Sequence, residues 1–256
     1  SKAIGIDSIA GASGKWGYLG PDISEKLPEA RFVKARDIVE NLRLVKSDEE
    51  IALMKESAKW AALAHSLLQK FTKPGLWDLE ISLKASLEAS REMKRKLGPG
   101  YEKTKWGLAC ASANYRGQVG ENSAVPHAIS TRRKIRKGDV LVTGAGSDVG
   151  GYSAELERTM IVGKPTDKQK KYFEIMVEMQ DAALQAFGPG VKCSDVDRAT
   201  INVARERGVT EYLLHHTGHG LGLEGHEPPW LDQGSDELLK PGMVVSCEPG
   251  IYIPGY

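Results

Sequence analysis

The sequence predicts an α+β fold in which two similar halves share one curved antiparallel sheet. Ser47-Asp48-Glu49-Glu50 and Thr166-Asp167-Lys168-Gln169 both have the spacing of a helix-capping box. Each opens a long helical stretch that ends near a Pro-Gly pair, Pro74-Gly75 and Pro189-Gly190, separated by 189 − 74 = 115 residues. Strand-like segments follow in a group instead of alternating singly with helices, which argues against βαβ units and places the helices outside the sheet.

Residues 1–46 mix short apolar stretches, Ala3-Ile4-Gly5-Ile6 and Arg31-Phe32-Val33, with Gly and Pro breaks. They are too few to close a core and read as the tail of a further domain plus a linker, leaving 47–256 as the main domain. Ile51, Met54, Ala58, Ala61, His65 and Leu68 recur at helical period, so a helix is expected over most of 48–71. A second is expected from about Trp77 to Leu97, before Gly98-Pro99-Gly100. Strands are expected over 105–111, 139–143 and 152–162. In the second half, a helix is expected from Thr166 to about Phe187 and another near Asp195.

Thirty-five Lys and Arg balance thirty-four Asp and Glu, so the net charge is +1 and no basic field invites a phosphate backbone. Nucleic acid is not an expected partner. No apolar run approaches the roughly 20 residues of a membrane span, and Ser1-Lys2-Ala3-Ile4-Gly5 lacks the apolar region of a signal peptide, so a cytoplasmic location and no membrane partner are expected. Cys110, Cys193 and Cys247 are odd in number and widely spaced. They are expected to be reduced and buried, forming neither a disulfide framework nor a thiolate zinc site.

Four of the six histidines, His215, His216, His219 and His226, fall within twelve positions. The glycines between them rule out the regular helix of an H-E-x-x-H zinc site, but a Gly-rich loop can still bring imidazoles together. The bland alternative is a set of solvated loop histidines. Glu248 ends an apolar segment, 243–247, where a solubilising carboxylate is out of place and would need a cation or donors. Glu155 and Glu157 alternate on one strand and so share a face; two like charges there imply a metal, an Arg or a cationic substrate, unless the face is exposed beside Arg158. Gly144-Ala145-Gly146 with Gly150 superficially suggests a dinucleotide loop, but another strand pattern follows instead of a helix.

Ser123-Ala124-Val125-Pro126-His127, the hairpin over 138–159, Thr217-Gly218-His219-Gly220-Leu221-Gly222 and Glu248-Pro249-Gly250 resemble the successive signature segments of the prolidase, aminopeptidase P and creatinase family. The resemblance runs from about Leu42 to Tyr256 and implies the pita-bread fold, two pseudo-symmetric halves around a curved antiparallel sheet. Leu42-Arg43-Leu44-Val45-Lys46-Ser47 resembles the link that precedes the family's catalytic domain, so residues 1–46 are expected to be a remnant of its N-terminal creatinase-type domain plus the linker.

The family's peptidases hold two divalent metals through Asp, Asp, His, Glu and Glu. Carried over, the first Asp falls on Gly144, the second on Glu155, the His on His219 and the first Glu on Glu248, while the last Glu has no counterpart before Tyr256. A two-metal centre is therefore not expected. The cofactor expectation is none, or one weakly bound divalent ion (Mn, Co or Zn) on Glu155, His219 and Glu248. Creatinase keeps this fold without metal; its catalytic His matches His127, and its substrate-binding carboxylates match Glu157 and Glu248. His215 and His226 match histidines that position substrate and shuttle protons in the peptidases.

The resemblance thus implies a hydrolase that cleaves a C–N bond in a small peptide-like or amidine-like substrate. His127 would be the acid/base, Glu157 and Glu248 would hold the substrate's cationic part, and His215, His219 and His226 would surround the reacting centre. The alternatives are a single-metal Xaa-Pro dipeptidase or aminopeptidase and a non-catalytic binding homologue. A dipeptide or other small molecule is the expected partner, and a homodimer the expected assembly. Without two dications, Glu155, Glu157 and Glu248 would crowd one cavity; at least one should titrate above an ordinary Glu, and the cavity should favour a cationic group.

Overall fold

A computed structural model describes residues 3–6, 23–104 and 109–255, and the chain divides into two compact units, 1–45 and 46–256. In the first unit, β1 (Ala3–Ile6) pairs in parallel with β2 (Arg31–Lys34), accompanied by α1 (Ile23–Lys26) and α2 (Arg36–Leu44). The second unit carries α3 (Asp48–Phe71), α4 (Asp78–Leu97), β3 (Ala111–Asn114), β4 (Val140–Val149) and β5 (Tyr152–Ile161). It continues with α5 (Asp167–Ala186), α6 (Cys193–Glu206), β6 (Gly218–Gly220) and β7 (Glu227–Leu231). Part of the strand expected over 105–111, residues 105–108, lies outside the described residues. No helix among the described residues is long and apolar enough to cross a membrane.

Both capping boxes form. Ser47 Oγ accepts from Glu50 N–H at 3.3 Å while the Glu50 carboxylate accepts from Ser47 N–H at 2.7 Å. Thr166 and Gln169 repeat the exchange at 3.2 and 2.8 Å. The duplication extends to the turns that follow. Gly75 N–H donates to Ile135 O and Gly190 N–H to Leu239 O, both at 2.8 Å, and these glycines stand 190 − 75 = 115 residues apart. The return bonds, Ile135 N–H to Leu76 O and Leu239 N–H to Val191 O, end on carbonyls that are again 191 − 76 = 115 residues apart.

In the first half, Ala61, Ala64, Ala85 and Ala89 are buried without exposure, and such small residues let α3 and α4 lie close to each other and to β3. Leu68, Met93, Tyr115 and Leu141 fill the space between helices and sheet. The second half has smaller clusters, one around Cys193, Val196 and Leu231 and one around Met179 and Ala204. Cys193 is buried as expected, whereas Cys110 and Cys247 are only partly so, a correction: each packs at the margin of a cluster instead of inside it.

The strands β3-β4-β5 form an antiparallel ladder, and β6-β7 form a second. Ser153 N–H donates to Gly222 O at 2.8 Å, joining the start of β5 to the loop after β6. The segment ending in Glu248 is not a regular strand, although Ser246 N–H to His219 O and Glu248 N–H to Thr217 O, both 2.8 Å, hold it extended beside β6.

Candidate active site

The β4-β5 register sets the site's first wall. Glu155 lies opposite Gly146 and Glu157 opposite Gly144, so both carboxylates face one side across a glycine-lined strand. Gly218 and Gly220 flank His219 because neighbouring backbone leaves no space for a Cβ: Ser246 O would lie 2.2 Å from one at 218, and Pro228 O 2.3 Å from one at 220. This close pairing brings His219, Ser246 and Glu248 together. His219 N–H donates to Ser246 Oγ at 2.9 Å, and the Ser246 hydroxyl is 2.9 Å from Glu248 Oε1.

His219 Nδ1 is 3.0 Å from the Gly220 carbonyl, which can only accept, so the ring proton sits on Nδ1 and Nε2 faces the cavity. That nitrogen is 2.8 Å from Glu248 Oε1 and 3.5 Å from Glu155 Oε2. Neither Nε2 nor Glu155 Oε2 has an aligned hydrogen-bond partner among the described residues, though both atoms are buried. Burial, and then the charge of Glu248, push the Glu155 carboxyl above the ordinary Glu range. Burial would raise Glu248 too, but contact with His219, the His219 charge and the Ser246 hydroxyl outweigh it and hold Glu248 low. His219 rises despite its burial because Glu248 and the Gly220 carbonyl favour its protonated form.

The other expected residues surround this pair. His226 stacks on His219, ring centroids 3.9 Å apart. Glu155 forms candidate cation-binding groups with His219 and His226 and with Glu157 and Glu248. His215 Nδ1 donates to the His216 carbonyl, leaving Nε2 to accept from the Tyr252 hydroxyl at 2.8 Å. Burial pushes Tyr252 up to about 12. His127 is depressed by partial burial, then by the charges of Arg116 and His215.

Three contributors carried no sequence signal. Ser246 and Tyr252 are ordinary residues whose histidine partners, His219 and His215, lie 27 and 37 positions away. Arg116, in the loop after β3, pairs with Glu157, and its Nη2 is 3.1 Å from His127 Nδ1. Arg158 leaves that face, as strand alternation requires, and donates to the Glu157 carbonyl. The cation beside Glu157 is thus Arg116, an arginine being one of the three partners expected for the face that Glu155 and Glu157 share.

Carboxylates and imidazoles converging from paired strands of a duplicated α+β unit define a pita-bread domain with a polar centre suited to hydrolytic chemistry. The chain belongs to metallopeptidase family M24, whose model matches residues 52–256. It is 32% identical to the Xaa-Pro dipeptidase of Pyrococcus horikoshii over 253 residues, 99% of this chain and 67% of that protein. Identity to the Xaa-Pro dipeptidase of Pyrococcus furiosus is 33% over 233 residues, 91% of this chain and 63% of that protein. The solved prolidase from Pyrococcus furiosus matches with a TM-score of 0.82 at 30% identity, covering 99% of this chain and 69% of that one. The chain thus spans about two thirds of the length of these relatives.

Divalent metals can be tested against the residues present. Glu155 Oε2 and Glu248 Oε1 both approach His219 Nε2, and Glu155 shares cation-sized groups of ligand atoms with His219 and His226 and with Glu157 and Glu248. The Nδ1–H to carbonyl bond is also the outer contact that metal-ligating histidines usually make. One divalent ion fits there. A second does not: Gly144 has no donor atom, and Arg116 lies against it.

Proposed function

We propose that residues 47–256 are the catalytic part of a single-cation hydrolase that cleaves the C–N bond of an Xaa-Pro dipeptide or a similar small peptide. The observation that carries this reading is the approach of Glu155 and Glu248 to His219 Nε2, with two buried atoms lacking aligned partners among the described residues and Glu155 in two cation-sized groups of ligand atoms. A divalent ion held there supplies Lewis acidity to a substrate oxygen and lowers the pKa of water. Ser246 orients Glu248, and the Gly220 carbonyl fixes the His219 tautomer. His127, exposed and depressed, is neutral near pH 7 and can give a proton to the departing nitrogen or take one from water. Tyr252 holds the His215 ring in place, and His226 covers His219. The reading includes a homodimer, a cytoplasmic location and residues 1–46 as part of an N-terminal creatinase-type domain with its linker.

A second reading, metal-free hydrolysis of an amidine-like substrate, is favoured by the close His219–Glu248 pair, whereas Arg116 on Glu157 counts against it. Xaa-Pro dipeptide turnover is expected to vanish on dialysis against a chelator and return with Mn. His127→Ala is expected to lower turnover at least roughly 100-fold, the usual contribution of a general acid/base. Chelator-resistant turnover would favour the metal-free reading, and no turnover of either substrate class would leave a binding homologue.

A further inference from the structure

We propose that Arg116 is a built-in cation of this centre, its guanidinium taking the place of a second divalent ion, neutralising Glu157 and bracing His127. A Cβ built on Gly144 would lie 2.9 Å from Arg116 Cδ and 3.4 Å from its Cγ. The space that a side chain at 144 would use is therefore filled by the Arg116 stem. Glu157, the cross-strand partner of Gly144, receives the guanidinium. The other amino nitrogen of the same group meets the His127 ring, with Nη2 at 3.1 Å from Nδ1 and 3.3 Å from Nε2.

The placement is built. Arg116 and His127 both have left-handed backbone, φ 52° and 55°, which non-glycine residues seldom adopt without compensation. The Arg116 turn is closed by its own N–H donating to Asn114 Oδ1 at 2.7 Å. The paired side chains are 20% and 22% exposed, so water screens them less than a surface pair. A guanidinium is permanently charged and planar, which suits a carboxylate on one edge and an imidazole against another. Absence of a side chain at 144 and presence of Arg116 are then two halves of one arrangement.

Charge neutralisation by Arg116 is independent of hydrolysis and is measured without substrate. Wild type, Arg116→Ala, Gly144→Asp and the double variant are dialysed against chelator, titrated with Mn by calorimetry and melted. Wild type is expected to bind no more than one equivalent. Arg116→Ala is expected to melt lower and to recover part of that loss in millimolar methylguanidinium, but not in sodium chloride at equal ionic strength. Gly144→Asp is expected to lower the melting temperature more with Arg116 present than in the Arg116→Ala background, since both side chains compete for one space. Two tightly held Mn ions in wild type, no methylguanidinium rescue, or strictly additive melting changes would each overturn the proposal. If Gly144→Asp does not fold, the rescue and the wild-type metal count still decide it.

Discussion

Lys46 Nζ lies 2.8 Å from Glu227 Oε1, and the two side chains are only 2% and 4% exposed. The other Glu227 oxygen accepts from Glu224 N–H at 3.1 Å, so this pair anchors the loop that carries His226. A Cβ on Gly222 would meet both partners, Glu227 Oε1 at 2.6 Å and Lys46 Cε at 2.8 Å, which explains the glycine. Removing one charge of a buried pair strands the other, so Lys46→Met is expected to cost about 3–5 kcal/mol in urea unfolding. Adding Glu227→Gln should recover much of that loss, because no uncompensated charge is left. A Lys46→Met protein as stable as wild type would show that the pair is not desolvated. Neither residue stood out in the sequence: a lone Lys in a linker and a Glu 181 positions away have no shared pattern.

At the scale of elements, α3 and β4 meet through polar contacts set in a largely apolar seam, Ser147 Oγ donating to the Ser57 carbonyl at 2.6 Å and His65 meeting Thr143. Thr143 Oγ1 donates to the Arg158 carbonyl at 2.9 Å and so accepts from His65 Nε2–H at 2.8 Å. Burial, and then the Arg158 charge, hold His65 below the ordinary imidazole value. The unfolded chain takes up that proton more readily, so this contribution is complete above the unfolded pKa and is lost as pH falls through the folded one. From about pH 7.5 to about pH 5.5, either side of the ordinary imidazole value, the wild-type urea midpoint is expected to fall more steeply than that of His65→Gln. Parallel slopes would mean that His65 titrates as if exposed. The sequence placed His65 on the helix face that packs, but its Thr143 partner is a product of the α3 to β4 contact.

At the scale of the whole second unit, the duplication makes a prediction that compares its halves. Gly75 and Gly190 have φ of 89° and 84°, and a Cβ on either would meet nothing within 4 Å. An alanine at each position is therefore strained in the backbone alone, at a cost of about 1–2 kcal/mol. Gly75→Ala and Gly190→Ala are expected to lose similar stability by chemical denaturation. A loss confined to one of them would mean that the halves do not share this turn.

The sequence by itself determined the four long helices of the second unit, the β4–β5 hairpin and the duplication, because capping boxes, helical period and Pro-Gly breaks are local signals read within a few residues, whereas β6 and β7 carried no such signal. It also determined which side chains gather: Glu155, His219, His226 and Glu248 belong to short motifs whose glycines permit close backbone approach, and the structure brings them into contact. The tertiary structure alone decided the charge balance there. Whether Glu157 faces an open cavity or a guanidinium depends on where the loop after β3 folds, and nothing near Arg116 in sequence encodes Glu157, which lies 41 residues on (157 − 116 = 41). Long-range electrostatics is set by which charges share a low-dielectric space, and that space exists only once the two halves have packed.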